Sequence, residues 1–215
     1  MATNDEILNG YARSLRSEGV EETEIARRIH LLREERPLLD ADRYNRIYTS
    51  GNAPFNRAPN AFVMESLRGK RPGVVLDYAM GEGRNSIYLA QLGWEVWGFD
   101  PADAAVELAQ RRARALGLTL HAEAVADSEF EFGHERFDVI VFSWAMPLIP
   151  VETVLGSLKP GGVVVMEAAA DYVGRNGMLQ MFDALRILKY EIVRDTADWY
   201  DRRQTEIVRL IAVKP

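Results

Sequence analysis

The chain is expected to fold as an α/β protein, with helices on both faces of a mostly parallel sheet and a helical extension at its N-terminus. Three observations predict this. From Val74 onward, short apolar runs alternate with segments of helical period, the pattern of strands buried on both faces between crossover helices. The last two strand-like runs, Tyr190 to Asp195 and Glu206 to Val213, have no helix between them, which predicts an antiparallel hairpin. The first forty residues are dense in charge, with apolar side chains at helical spacing.

Taken in order, Ile7, Leu8, Tyr11 and Leu15 mark one amphipathic helix and Ile25, Ile29 and Leu32 a second. Gly19 separates them and Pro37 stops the second. The stretch from Tyr44 to Asn60 is rich in Pro, Asn, Gly and aromatics, and is expected to be an ordered loop. A helix from Ala61 to Leu67 leads into the core, so the chain divides into an extension with a lid loop, residues 1–60, and a main domain, residues 61–215. Strands follow at Val74–Asp77, Glu95–Asp100, Leu118–Val125, Phe137–Ser143 and Val163–Ala168. Helices lie between them at Asn85–Leu92, Ala102–Leu116 and Val151–Leu158, with a last one at Met178–Leu188 before the hairpin.

Composition limits the partners. With 47% hydrophobic residues over 215 positions the chain can bury a substantial core. A formal charge of −6 gives no electrostatic reason to expect nucleic acid or an anionic membrane. The absence of cysteine rules out disulfides, thiolate nucleophiles and cysteine zinc sites, and no metal site is expected. The polar start, Met1-Ala2-Thr3-Asn4-Asp5-Glu6, is unlike a signal peptide, and the best apolar stretch, near Val139 to Val151, is broken by Pro147 and Pro150. A cytoplasmic enzyme, monomeric or homodimeric, is the expectation.

The chemistry gathers at strand ends. Asp77-Tyr78-Ala79-Met80-Gly81-Glu82-Gly83 follows the apolar Val74-Val75-Leu76 and precedes a helix. This is a glycine turn that lets a ligand approach backbone N–H groups at a helix start. A carboxylate at its mouth repels pyrophosphate and suits a cation, which points to S-adenosylmethionine (SAM). Asp77, Asp100 and Asp127 follow successive strands, and ligands of open α/β sheets lie outside the carboxyl ends of strands. Asp100 suits ribose hydroxyls; followed by Pro101 and a helix, it is equally placed as an N-cap. Asp127 suits an exocyclic amino group.

Asp77 to Asp100 resembles the first two motifs of class I SAM-dependent methyltransferases. Gly83-Arg84-Asn85-Ser86-Ile87-Tyr88-Leu89-Ala90 with Gly93 looks especially like the bacterial tellurite-resistance group, and Lys159-Pro160-Gly161-Gly162 is similar to the family's turn before its fifth strand. The resemblance implies a doubly wound, Rossmann-like seven-stranded sheet of order 3-2-1-4-5-7-6 with strand 7 antiparallel. It also implies roles: Asp77, Ala79, Gly81 and Gly83 around the methionine part of SAM, Arg84 and Asn85 near its carboxylate, Asp100 and Pro101 at the ribose, Asp127 and Ser128 at the adenine, and Ser143 and Trp144 below the sulfonium. Two positions depart from the family. Ala79 stands where glycine is usual and suits the turn at negative φ. Tyr78 replaces a small or apolar residue and is expected to pack under the sheet. The histidine–arginine pair of the tellurite group has no counterpart near the C-terminus, since the histidines are His30, His121 and His134.

The implied activity is methyl transfer to a small-molecule acceptor. Candidates on the acceptor side are Trp144 and Met146 after strand four, Asp171 and Tyr172 after strand five, and Trp199 and Tyr200 in the hairpin turn. Tyr44, Tyr48, Phe55 and Asn56 are candidates for a lid. The cluster Asp195, Asp198, Trp199, Tyr200, Asp201 suits a cation or is a solvated turn. Ser143-Trp144-Ala145-Met146-Pro147 lacks the Asn/Asp-Pro-Pro-aromatic signature of amide and base N-methylation. Two rival readings remain, a non-catalytic SAM-binding module and an NAD-dependent oxidoreductase. The latter lacks the third glycine of its G-x-G-x-x-G turn.

Overall fold

The computed structural model describes residues 4–17, 19–34, 41–173, 176–199 and 204–215. Seven strands form one sheet: β1 Val74–Tyr78, β2 Glu95–Phe99, β3 His121–Glu123, β4 Phe137–Ser143, β5 Leu158–Ala169, β6 Arg186–Thr196 and β7 Gln204–Val213. Their order is β3-β2-β1-β4-β5-β7-β6. β1 to β5 pair in parallel, while β7 runs antiparallel to both β5 and β6. The expected order and the hairpin are both present.

The sheet is buried on both faces because its central strands send apolar side chains to each side. Along β4, Ile140 and Phe142 enter one core layer with Leu76, Phe99, Phe137, Phe182 and Leu210. Val139 and Val141 enter the other layer with Phe62, Val63, Leu67, Leu89 and Trp94. This two-residue alternation is the strand period read from both sides. The helices are α1 Asn4–Ser17, α2 Glu22–Glu34, α3 Ala41–Thr49, α4 Ala61–Leu67, α5 Arg84–Gln91, α6 Asp103–Ala115, α7 Val151–Gly156, α8 Ala170–Val173 and α9 Gly177–Met181. Asn60 caps α4, its side-chain oxygen accepting from the Val63 N–H at 2.9 Å. α1 and α2 pack on each other through Leu8, Tyr11, Leu15 and Ile25, with Met146 and Leu148 against the same cluster.

Four expectations are corrected. Residues from Tyr44 to Thr49 are helical, in α3, because Tyr44, Ile47 and Tyr48 share one helix face; the loop signals begin only at Gly51. The strand expected over Leu118–Val125 is confined to His121–Glu123 at the sheet edge. The helix expected over Met178–Leu188 ends at Met181, and Arg186 already belongs to β6, where pairing with Val213 of β7 outcompetes helical propensity. β5 starts at Leu158, not Val163. Its Pro160-Gly161-Gly162 segment is strapped to the C-terminus by bonds from Gly161 N–H to Lys214 C=O and from Lys214 N–H to Gly162 C=O, both 2.9 Å.

Candidate functional site

A cavity of about 250 Å³ opens at the carboxyl ends of β1, β2 and β4, the edge where an open α/β sheet binds ligands. Of the twelve residues expected around a cofactor, Ala79, Gly81, Asp100, Pro101, Asp127, Ser143 and Trp144 line it. Asp77, Gly83, Arg84, Asn85 and Ser128 do not line it.

Each of those five has a stated occupation, save Ser128, which is exposed. Asp77 lies under the turn and accepts from the Ser86 hydroxyl at 2.6 Å. Its burial raises its pKa to about 6, against the lowering effect of that hydrogen bond and of Arg84. Gly83, at φ 74°, starts α5, and a Cβ there would meet the Ala109 Cβ at 2.8 Å. Its missing side chain lets α5 approach α6. Asn85 accepts the Asn60 N–H at 2.8 Å and so fixes the start of α4.

Arg84 is only 8% exposed. It donates to the Asp198 carboxylate at 3.0 Å and, at 3.3 Å each, to the Ser143 hydroxyl and the carbonyls of Ala58 and Asp198. Asp198 also accepts from the Trp144 indole N–H at 2.8 Å and the Asn60 amide at 3.1 Å. Asn60 donates onward to Glu167 at 2.6 Å, and Arg209 bridges Glu167 and Asp195 at 2.6 and 2.9 Å. Burial raises the Glu167 pKa, although Arg209 and Asn60 both favour its charged form. Asp198 is therefore no solvated turn residue. It ties the β6–β7 turn to β4, α4 and α5, a role invisible to local sequence reading because its partners are 54 to 138 positions away. Tyr200 and Asp201 of the same cluster lie outside the described residues.

Asp100 lines the cavity, while the N-cap position of α6 falls to Ala102 and not to Asp100 as expected. One Asp100 oxygen accepts from the Ala102 N–H at the start of α6 and the other from the Gly81 N–H of the glycine turn, each at 2.9 Å. Burial raises its pKa to about 6 against those two bonds. Each oxygen retains acceptor capacity toward the cavity. At Asp127, Oδ2 accepts from the Tyr78 hydroxyl at 2.6 Å and the Leu148 N–H at 2.9 Å. Tyr78 thus reaches the cavity wall and an acid, where packing alone was expected. Its ring packs on Phe99 and Phe142, each centroid 4.8 Å away, and burial beside Asp127 raises the phenol pKa.

Ala79 has φ 51° and Trp144 φ 60°. The expectation of negative φ at Ala79 is overturned: the turn demands the left-handed region, where an alanine costs about 1–2 kcal/mol. Residues held in such conformations concentrate at functional sites, and here both line the same cavity.

The lid candidates assemble over the opening. Phe55 stacks on Trp199 with ring centroids 5.5 Å apart and planes 9° apart, and it contacts Tyr44 and Tyr48 at 5.9 and 5.2 Å. The Asn56 N–H donates to the Trp199 carbonyl at 3.1 Å. Tyr44, Tyr48 and Trp199 line the cavity, with Phe55 behind them. A Cβ on Gly81 would stand 3.0 Å from the Tyr48 hydroxyl, so Gly81 keeps that hydroxyl close to the turn. Met146 also lines the wall, whereas the side chains of Asp171 and Tyr172 lie outside the described residues. Sequence reading missed Ala126, Leu148, Ala168, Ala169 and Val173, whose apolar side chains carry no signal of their own. Among the described residues no cluster of His, Asp and Glu could hold a metal ion, and no helix is long and apolar enough to cross a membrane.

Residues 75–162 match the model of a methyltransferase-domain family. With the sheet order and the solved structures below, this makes the chain a protein of the class I methyltransferase fold. It is 35% identical over 117 residues to the 2-heptyl-1-hydroxyquinolin-4(1H)-one methyltransferase of Mycobacteroides abscessus, covering 54% of this chain and 49% of that one. It is 30% identical over 139 residues to the ubiquinone biosynthesis O-methyltransferase of Haemophilus ducreyi, covering 60% and 52%. The chain spans about half the length of these curated relatives. TehB from Haemophilus influenzae superposes with a TM-score of 0.59 at 20% identity, over 73% of this chain and 62% of that one. The N-methyltransferase NodS from Bradyrhizobium japonicum, solved with S-adenosyl-L-homocysteine, gives 0.59 at 17% identity, over 72% and 84%.

Proposed function

We propose that this chain is an enzyme that transfers a methyl group from SAM to a small-molecule acceptor. The observation that carries this reading is the convergence of Asp100, just after β2, and Asp127, in the turn beyond β3, on one cavity beside the Gly81 turn. The matched methyltransferase domain and the methyltransferases among the relatives support it.

The donor set fits the cofactor. Two carboxylates with acceptor capacity left over suit ribose hydroxyls at Asp100 and an amino group at Asp127, and their charge suits a sulfonium. When bound, SAM supplies an activated methyl on a positively charged sulfur, so the acceptor needs placement more than activation. Asp100 holds the Gly81 turn and the α6 start in register, leaving its outer lone pairs to a ligand. Trp144, fixed through its indole N–H, forms the wall after β4. The aromatic lid of Tyr44, Tyr48 and Trp199 excludes water from the opening. Positioning of this kind is worth roughly 7–11 kcal/mol in favourable cases.

The same reading takes residues 1–60 as an extension that helps cover the site and 61–215 as the catalytic domain. It places the protein in the cytoplasm as a monomer or homodimer, with neither nucleic acid nor membrane as partner. Calorimetric titration with SAM tests it, followed by assay of S-adenosylhomocysteine release on a panel of acceptors. Tight binding that Asp100→Ala weakens at least tenfold is expected; absence of SAM binding overturns the proposal.

A further inference from the structure

We infer that the acceptor is a neutral, largely apolar molecule, held by its hydrocarbon and not by its charge. This rests on the methyl-transfer reading and adds the substrate class. The cavity divides by chemistry. Its charged side chains among the described lining residues are Asp100, after β2, and Asp127, in the turn beyond β3, both acids on the side assigned to the cofactor. One stretch of its wall, from Ala145 through Met146 and Leu148 to Ala168, Ala169 and Val173, is hydrocarbon, and its other polar side chains, Tyr44, Tyr48, Tyr78, Ser143, Trp144 and Trp199, are uncharged. Met146 and Leu148 are backed from outside by the α1–α2 cluster, so this end is closed by apolar packing.

Arg84, the buried arginine at the start of α5, cannot recruit an anion cheaply, and the two other arginines at the turn, Arg112 and Arg57, are paired with Glu82. Arg84 is buried and committed to Asp198, Ser143 and two backbone carbonyls. Taking it from Asp198 would part a buried guanidinium from its charge partner. An oxyanion acceptor would therefore meet two negative groups and, among the described lining residues, no cation, losing its solvation without compensation. A neutral acceptor gains instead from every methylene it buries. In the reaction, a lone pair on the acceptor's oxygen, nitrogen or sulfur forms the new bond to the methyl carbon. The S–CH₃ bond breaks with its electron pair going to sulfur, and any proton on the acceptor atom leaves to water.

The test uses the full chain and para-alkylphenols from methyl to hexyl as probes. Trp144 and Trp199 line the cavity, so binding is read by tryptophan fluorescence without cofactor, and turnover is read separately with SAM. Kd is expected to fall about fourfold per added methylene until the chain fills the cavity. Ala169→Leu, which occupies part of that space, should shift the optimum to a shorter alkyl group. A Kd independent of chain length overturns the inference, as does preferential methylation of selenite or tellurite. So does an Ala169→Leu protein that folds and keeps the wild-type optimum. Loss of SAM binding in calorimetry would defeat the methyl-transfer reading alone, because the fluorescence series does not depend on it.

Discussion

The indole N–H of Trp144 donates to the carboxylate of Asp198 across 2.8 Å, joining the end of β4 to a turn 54 residues later in the chain. The same oxygen accepts from Arg84 at 3.0 Å. Asp198 therefore holds two cavity-wall segments at once, Trp144 directly and Trp199 as its chain neighbour. Asp198→Ala should strip a charged partner from a buried arginine and cost about 2–3 kcal/mol of stability, measured by urea unfolding. Because the wall is released and the strand-end acids are untouched, acceptor KM should rise more than the Kd for SAM. Equal effects on both would contradict the division of labour drawn here.

Asp100 makes the site sensitive to pH. Its folded pKa of about 6 stands above the unfolded value of about 3.9. The folded state therefore holds the proton more tightly, and this group's contribution to stability falls as pH rises from about 4 to about 6. Binding of a cation runs the other way, improving as the carboxylate ionises through about pH 6. The stability difference between wild type and Asp100→Asn should move against wild type across that window in urea titrations. SAM affinity should fall more steeply from about pH 7 to about pH 5 in wild type than in the variant, where Asp77 alone of the two acids still titrates in that window. A variant with the same pH dependence as wild type would refute this assignment.

Ala79 offers a gain. Glycine at φ 51° removes a left-handed penalty of about 1–2 kcal/mol, partly offset by about 0.4–1 kcal/mol from the greater freedom of glycine in the unfolded chain. Ala79→Gly should raise Tm by about 2 °C in a scanning calorimeter, with SAM affinity at least retained. A lower Tm would show that the alanine methyl makes packing contacts worth more than the strain.

Tyr78→Phe deletes the hydroxyl that Asp127 accepts at 2.6 Å while the Leu148 N–H still donates to the same oxygen. The expected cost is about 1 kcal/mol of stability. The vacated acceptor capacity should leave SAM affinity unchanged or improved. A fall of more than about tenfold in calorimetry would mean that the tyrosine hydroxyl is itself a ligand contact.

Much of this was legible in the chain because the signals were local. The run Val74-Val75-Leu76, the glycine turn and the acid at each strand end are short patterns whose meaning depends on neighbours within a few residues. The hairpin declared itself by the missing helix between β6 and β7. What was hidden depended on distance. Asn60, Arg84 and Asp198 read separately as a loop residue, a cofactor contact at a helix start and a turn acid, and only folding brings them together. α3 was masked by the Pro- and Asn-rich stretch that follows it. The sign of φ at Ala79 follows from closing the turn onto Asp100 through the Gly81 N–H, a constraint that the identity of residue 79 does not announce.

Met146 and Leu148 belong to two surfaces, the cavity on one side and the α1–α2 packing on the other. A protein built this way can keep its cofactor grip fixed while its choice of acceptor drifts, since altering the helices at its front end reshapes one compartment without touching the other. Grafting a different pair of leading helices onto residues 41–215 is thus a direct route to a changed substrate repertoire.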